Sequence, residues 1–134
     1  MESKLRSLLK EAQTIAVVGI SNKPERPSYD VAGYLKAQGY TIIPINPKLD
    51  EVLGEPCHRS LEAYGKPVDI VDIFRRPEAV GPIVDEAVKI GAGAVWMQEG
   101  VANEDAARTA EDAGMAVVQD RCIKKVLMSM GGRP

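Results

Sequence analysis

The chain has 134 residues, 45% of them apolar and 27% charged, with a formal net charge of −2. That length fits one domain able to bury roughly two-thirds of its unfolded surface. Near-neutrality argues against wholesale binding of nucleic acid or a membrane surface but leaves local cation clusters free to hold an anion. No apolar run approaches the roughly 20 residues of a membrane span, and MESKLRSLLKEAQ lacks a signal peptide's apolar stretch. A cytoplasmic protein with no nucleic-acid or membrane partner is expected.

Short, β-branched apolar runs alternate with amphipathic stretches along the whole chain. Leu5, Leu8, Leu9 and Ala12 mark a leading helix, and TIAVVGI (14–20) a first strand. Val31, Tyr34 and Leu35 mark a helix over 28–38, followed by the strand YTIIPI (40–45). The segment 49–65, LDEVLGEPCHRSLEAYG, shows only a short helix around 60–64. VDIVDIF (68–74) reads as the third strand, and Ile83, Val84, Ala87 and Ile90 as the next helix, ended by Gly91. AGAVWM (92–97), an alanine-faced helix through Ala106, Ala107, Ala110 and Ala113 ended by Gly114, and MAVVQ (115–119) complete the series. Gly39, Gly91 and Gly114 all stand where a C-cap glycine belongs.

Helical crossovers of this length let successive strands lie parallel, and the runs are apolar enough to be buried on both faces. The expected fold is α/β: a doubly wound sheet of about five parallel strands with helices on both faces, in a single domain over 1–134. Ligands of such sheets bind outside the carboxyl ends of the strands, where strand order reverses. Candidate residues are therefore sought at strand ends.

After the first strand stand Gly19, Ser21, Lys23, Arg26 and Ser28. Glycine lets backbone pass close to a phosphate, and the start of the following helix, near Ser28, supplies amide donors and a positive dipole end. Lys23 and Arg26 add formal charge in place of a G-x-G-x-x-G pattern. The second strand ends in Asn46, Pro47 and Lys48. A site of the NAD type commonly has Asp or Glu here for the ribose hydroxyls. Lys48 instead favours a phosphate on the ribose, as in NADP or coenzyme A. Phe74, Arg75 and Arg76 leave the third strand, where one arginine can be aimed at a pyrophosphate and the ring can pack on a thin chain. Gln98, Glu99 and Gly100 end the fourth, with Trp96 expected in the core and Asn103 as a helix cap.

The two cysteines, Cys57 and Cys122, are too few and too far apart for a disulfide framework or a zinc site. His58 adjoins Cys57, but neighbours in an extended segment point to opposite sides and no orienting third group stands out. A loop cysteine beside a surface histidine is expected.

Together, IAVVGISNKPERPSYDVAGYL, IIPINPK, VDIVDIFRRPEAV, AVWMQEGV and VVQDRCIKK resemble the small stand-alone CoA-binding domain proteins. That family is similar to the N-terminal CoA-binding domain of the succinyl-CoA synthetase α subunit, and the resemblance covers 14–125. It implies a Rossmann-like fold with coenzyme A lying across the strand ends. By position, Gly19 and Ser21 with Arg26 would serve the phosphates, and Asn46, Pro47 and Lys48 the adenosine 3′-phosphate end. Phe74, Arg75 and Arg76 would flank nucleotide and pantetheine, while Gln98, Glu99 and Gly100 line the far side.

The larger ligases carry a glycine-rich first turn, where this chain has Lys23, Pro24, Arg26 and Pro27. Their phosphorylated histidine lies outside this domain, and His58 matches neither its place nor its motif. The expectation is a protein that binds CoA or an acyl-CoA without chemistry of its own. An NADP-dependent oxidoreductase and a ligand-controlled regulatory subunit are the alternatives, the first sharing Lys48 but lacking a catalytic pair.

Overall fold

The computed structural model describes residues 2–134. In chain order the elements are α1 (Glu2–Glu11), β1 (Thr14–Val18), α2 (Pro27–Ala37), β2 (Thr41–Ile45), β3 (Glu51–Val52), β4 (Glu55–Pro56) and α3 (Leu61–Tyr64). They continue as β5 (Ile70–Ile73), a single 3-10 turn (Pro77–Ala79), α4 (Val80–Ile90), β6 (Ala94–Met97), α5 (Glu104–Asp112), β7 (Ala116–Val118) and α6 (Ile123–Ser129). No helix among the described residues is long and apolar enough to cross a membrane.

Five strands form one sheet in the order β2-β1-β5-β6-β7, every neighbour pair parallel. Alternation along each strand sends side chains to opposite faces. Ile15, Val17, Ile70 and Trp96 pack with α1, α2 and α6 on one face, while Ala16, Val18, Val71, Ile73 and Met97 pack with α3, α4 and α5 on the other. The doubly wound α/β fold is thus present, and Trp96 is fully buried, its indole N–H donating to the Arg121 carbonyl at 2.7 Å.

The strands are shorter than the apolar runs that announce them. Ile20, Val68 and Met115 stay buried but lie outside the ladder, because apolar composition reports burial and says nothing of hydrogen-bond register. The chain between β2 and α3 holds a small antiparallel hairpin, β3 with β4, turning through Leu53 and Gly54, both at positive φ. Beyond it, the Asn46 amide donates to the His58 carbonyl at 2.9 Å and the His58 amide to the Pro44 carbonyl at 3.0 Å. These bonds cover the open edge of β2, which would otherwise present unpaired donors and acceptors. α6 is likewise an element that periodicity did not announce, since seven residues give barely two turns of pattern.

Asn103 caps α5 as expected: its Oδ1 accepts from the Ala106 amide at 3.0 Å, and its Nδ2 donates to the Pro77 carbonyl at 2.9 Å. The second bond ties α5 to the turn that follows β5. Asn103→Ala is expected to cost about 1–2 kcal/mol, while Asn103→Asp, which keeps the cap acceptor, recovers most of it. Urea unfolding checks this; equal midpoints for wild type and the alanine variant would contradict it.

Candidate functional site: a crevice across the strand ends

β1 and β5 are neighbours whose outgoing connections diverge, to α2 on one face and towards α4 on the other. Such a divergence opens a crevice at the carboxyl ends of the strands. Gly19 sits at its centre. Its φ is +88°, and a Cβ built there would lie 2.4 Å from the Phe74 carbonyl oxygen and 2.9 Å from Arg75 Cδ. Only glycine combines that backbone conformation with so close an approach of the two segments.

Three connected recesses run along the crevice. The central one, about 370 Å³, is lined by Gly19, Ser21, Lys23, Arg26, Pro27, Ser28 and Phe74. Its wall is a folded turn: Ser28 Oγ accepts from the Ser21 amide and Ser21 Oγ from the Lys23 amide, each at 3.0 Å. α2 begins at Pro27, one residue earlier than its apolar pattern suggests, with Arg26 at the N-cap and no side chain capping it. The positive end of the α2 dipole therefore meets the recess without a side-chain cap.

On the α3/α4 side lies a recess of about 450 Å³ that includes Gly19, Asn46, Pro47, Lys48, Arg59, Ser60 and Arg75. Among the described residues, none of Lys48, Arg59 and Arg75 has a carboxylate oxygen within 4.0 Å. The carboxylate on this wall, Glu86, instead accepts from the Glu62 amide at 2.9 Å. Asn46 shapes the wall: its Nδ2 donates to the Ile20 carbonyl and its Oδ1 accepts from the Lys48 amide, both at 2.8 Å.

The largest recess, about 1000 Å³, opens between α2 and α6 over Val31, Phe74, Gln98, Val101, Cys122 and Met128. Gln98 is buried, with its Oε1 accepting from the Ile123 amide at 3.2 Å. The Gly100 amide donates to Asp120 at 2.7 Å, and Lys125 donates to Glu99 at 2.9 Å. The polar groups of this strand end thus hold the start of α6 in place.

All fourteen residues singled out in the sequence line one of these recesses. The two arginines after β5 divide the work: Arg75 borders both the Lys48 recess and the α2/α6 recess, whereas Arg76 is solvated and pairs with Glu78 at 3.3 Å. Arg59, Asp30, Lys124 and Met128 also line the crevice but carried no signal, because their segments meet the strand ends only through tertiary contacts. Cys57 and His58 are half-buried, a correction for the histidine, whose ring packs edge-on against Tyr64 with centroids 4.9 Å apart. The Cys57 thiol faces the Asn46 carbonyl at 3.6 Å, and burial raises its pKa, which lowers its thiolate fraction.

Within β5, two residues before Phe74, lies Asp72, flanked in register by Val17 and Trp96. It is fully buried, and neither carboxylate oxygen has a hydrogen-bond partner. An apolar reading of DIVDIF hides it.

Sheet order and crevice together define a doubly wound α/β protein of Rossmann-like type with a crevice across its strand ends. Residues 13–128 match the CoA binding domain family, and the chain belongs to that family. It is 37% identical over 123 residues to the uncharacterized protein YneT of Bacillus subtilis, covering 92% of this chain and 91% of that one. A solved structure, a hypothetical protein from Pyrococcus horikoshii, superposes with a TM-score of 0.94 at 36% identity, covering 98% of this chain and 93% of that one. The ADP-forming acetate–CoA ligase of Methanocaldococcus jannaschii is 30% identical over 89 residues, which are 66% of this chain but 13% of the ligase.

Proposed function

We propose that this protein binds coenzyme A or an acyl-CoA across the strand ends and performs no reaction on it. The observation that carries the reading is the run of cations along one continuous crevice: Lys23 and Arg26 beside the uncapped start of α2, then Arg75, Lys48 and Arg59 with no carboxylate partner. CoA presents roughly four negative charges, from a pyrophosphate and a ribose phosphomonoester. The central recess suits the pyrophosphate, since helix amides and a close glycine can approach it. Lys48 and Arg59 suit the 3′-phosphate, and Phe74 turns the pantetheine arm towards the α2/α6 recess. That no reaction is proposed rests on the Cys57–His58 pair, in which burial raises the Cys57 pKa and the His58 ring packs edge-on against Tyr64.

Calorimetric titration with CoA, 3′-dephospho-CoA, NADP and NAD at one salt concentration tests this. CoA is expected to bind tightest, with loss of the 3′-phosphate weakening it about 10- to 100-fold, the worth of a charge-assisted hydrogen bond. Lys48→Ala is expected to erase most of that discrimination, and Arg26→Ala to weaken CoA and dephospho-CoA alike. A preference for NADP, joined by NADPH turnover on a carbonyl panel, would support the oxidoreductase in its place. No binding of CoA would sink the reading outright.

A further inference from the structure

The α2/α6 recess is larger than a pantetheine arm needs and differs in character from the rest of the crevice. Its walls are Val31, Phe74, Val101 and Met128, and Met128, 57% exposed, is the most exposed large apolar side chain among the described residues. Water on a methionine that walls a recess leaves apolar area for a ligand to cover. The charges at its mouth are already matched: Lys124 donates to Asp30 at 2.7 Å and Lys125 to Glu99 at 2.9 Å. Arg76 is held by Glu78, and Arg75 turns towards Gly19. The recess therefore offers mainly apolar surface, and Arg75, which it shares with the Lys48/Arg59 recess, is the one cation on its wall without a carboxylate partner among the described residues.

Continuity decides the occupant. Phe74 and Pro27 border both this recess and the central one, so whatever extends past the phosphates enters here. Resting on the CoA reading above, we infer that the physiological ligand is an acyl-CoA with an uncharged aliphatic acyl group, seated against Met128, Val31 and Val101. A dicarboxylic acyl group would place its second carboxylate among cations already neutralised by Asp30 and Glu99. Desolvating it there would go uncompensated.

Titration of the full chain with CoA, butanoyl-CoA, hexanoyl-CoA and succinyl-CoA tests the inference. Hexanoyl-CoA is expected to bind about tenfold more tightly than CoA, a gain that corresponds to partial burial of its methylenes. Succinyl-CoA should bind at least several-fold more weakly than butanoyl-CoA, which has the same number of acyl carbons. Met128→Lys should bring the hexanoyl-to-CoA ratio close to one, and Met128→Leu should keep it. If CoA binds but hexanoyl-CoA binds no better, or if succinyl-CoA outbinds butanoyl-CoA, the acyl assignment is overturned while the CoA reading stands. If neither CoA nor any thioester binds, both fall.

Discussion

Gly19→Ala is expected to destabilise the protein by about 2–4 kcal/mol and to weaken CoA binding at least tenfold in the molecules that remain folded. Two costs combine. The backbone at φ +88° is one that L side chains rarely adopt, and the new methyl would lie 2.4 Å from the Phe74 carbonyl. Backbone cannot be repacked like a side chain, so β1 and β5 must part at the point where the crevice opens. Arg75, whose Cδ lies 2.9 Å from the same Cβ position, would be pushed from its place. Gly33 in the interior of α2 is the control: nothing lies within 4 Å of its Cβ position. Gly33→Ala should stabilise by about 0.5–1 kcal/mol, because alanine restricts the unfolded chain and suits a helix. Urea unfolding of both variants, with CoA titration at a temperature where Gly19→Ala is folded, measures the contrast. Similar midpoints for the two would contradict the close approach at Gly19.

Asp72→Asn is expected to stabilise the protein by about 1–3 kcal/mol at pH 7. Burial pushes the Asp72 carboxyl well above its ordinary pKa of 3.8, whereas in the unfolded chain it titrates near 3.9. Between those values the folded state keeps a proton that the unfolded state has released. Stability is therefore fully present below about pH 4 and declines as pH rises towards the folded pKa. The asparagine variant lacks this decline, so its advantage should be small at pH 4 and grow towards neutrality. Asp72→Val, which also removes the unpartnered polar atoms between Val17 and Trp96, should gain further if the slightly larger side chain fits. Unfolding curves for the wild type and both variants at pH 4 and pH 7 separate the effects. A wild type more stable than Asp72→Asn at pH 7 would mean that the carboxylate has a partner, and the sign would be wrong.

These two residues differ in how openly the sequence announced them. Gly19 follows an apolar strand and precedes a helix, a place where glycine carries local meaning, so its role at the crevice was readable. Asp72 stands in a mostly apolar run, and no local pattern tells a half-exposed aspartate from one buried between Val17 and Trp96. Arg59 is similar: CHRSLE has no period, and its cation reaches the Lys48 recess because the chain after β4 covers the edge of β2. Lys124 and Lys125 are paired with Asp30 and Glu99, partners distant in sequence that no local pattern names.

What the sequence determined by itself is local: five strand segments, helices of which three end at a glycine, a cap at Asn103, and cations at successive strand ends. Each follows from side-chain period, backbone preference or charge within a few residues, and their combination sufficed to suggest parallel strands and an anionic ligand. What the tertiary structure alone decided is the order β2-β1-β5-β6-β7, the placing of the crevice between β1 and β5, the covering of β2 by the hairpin and His58, and the separation of a cationic recess from an apolar one. Those features depend on pairings between residues far apart in the chain, whose free energy comes from mutual burial and hydrogen bonding, and no local pattern records which partner will be met.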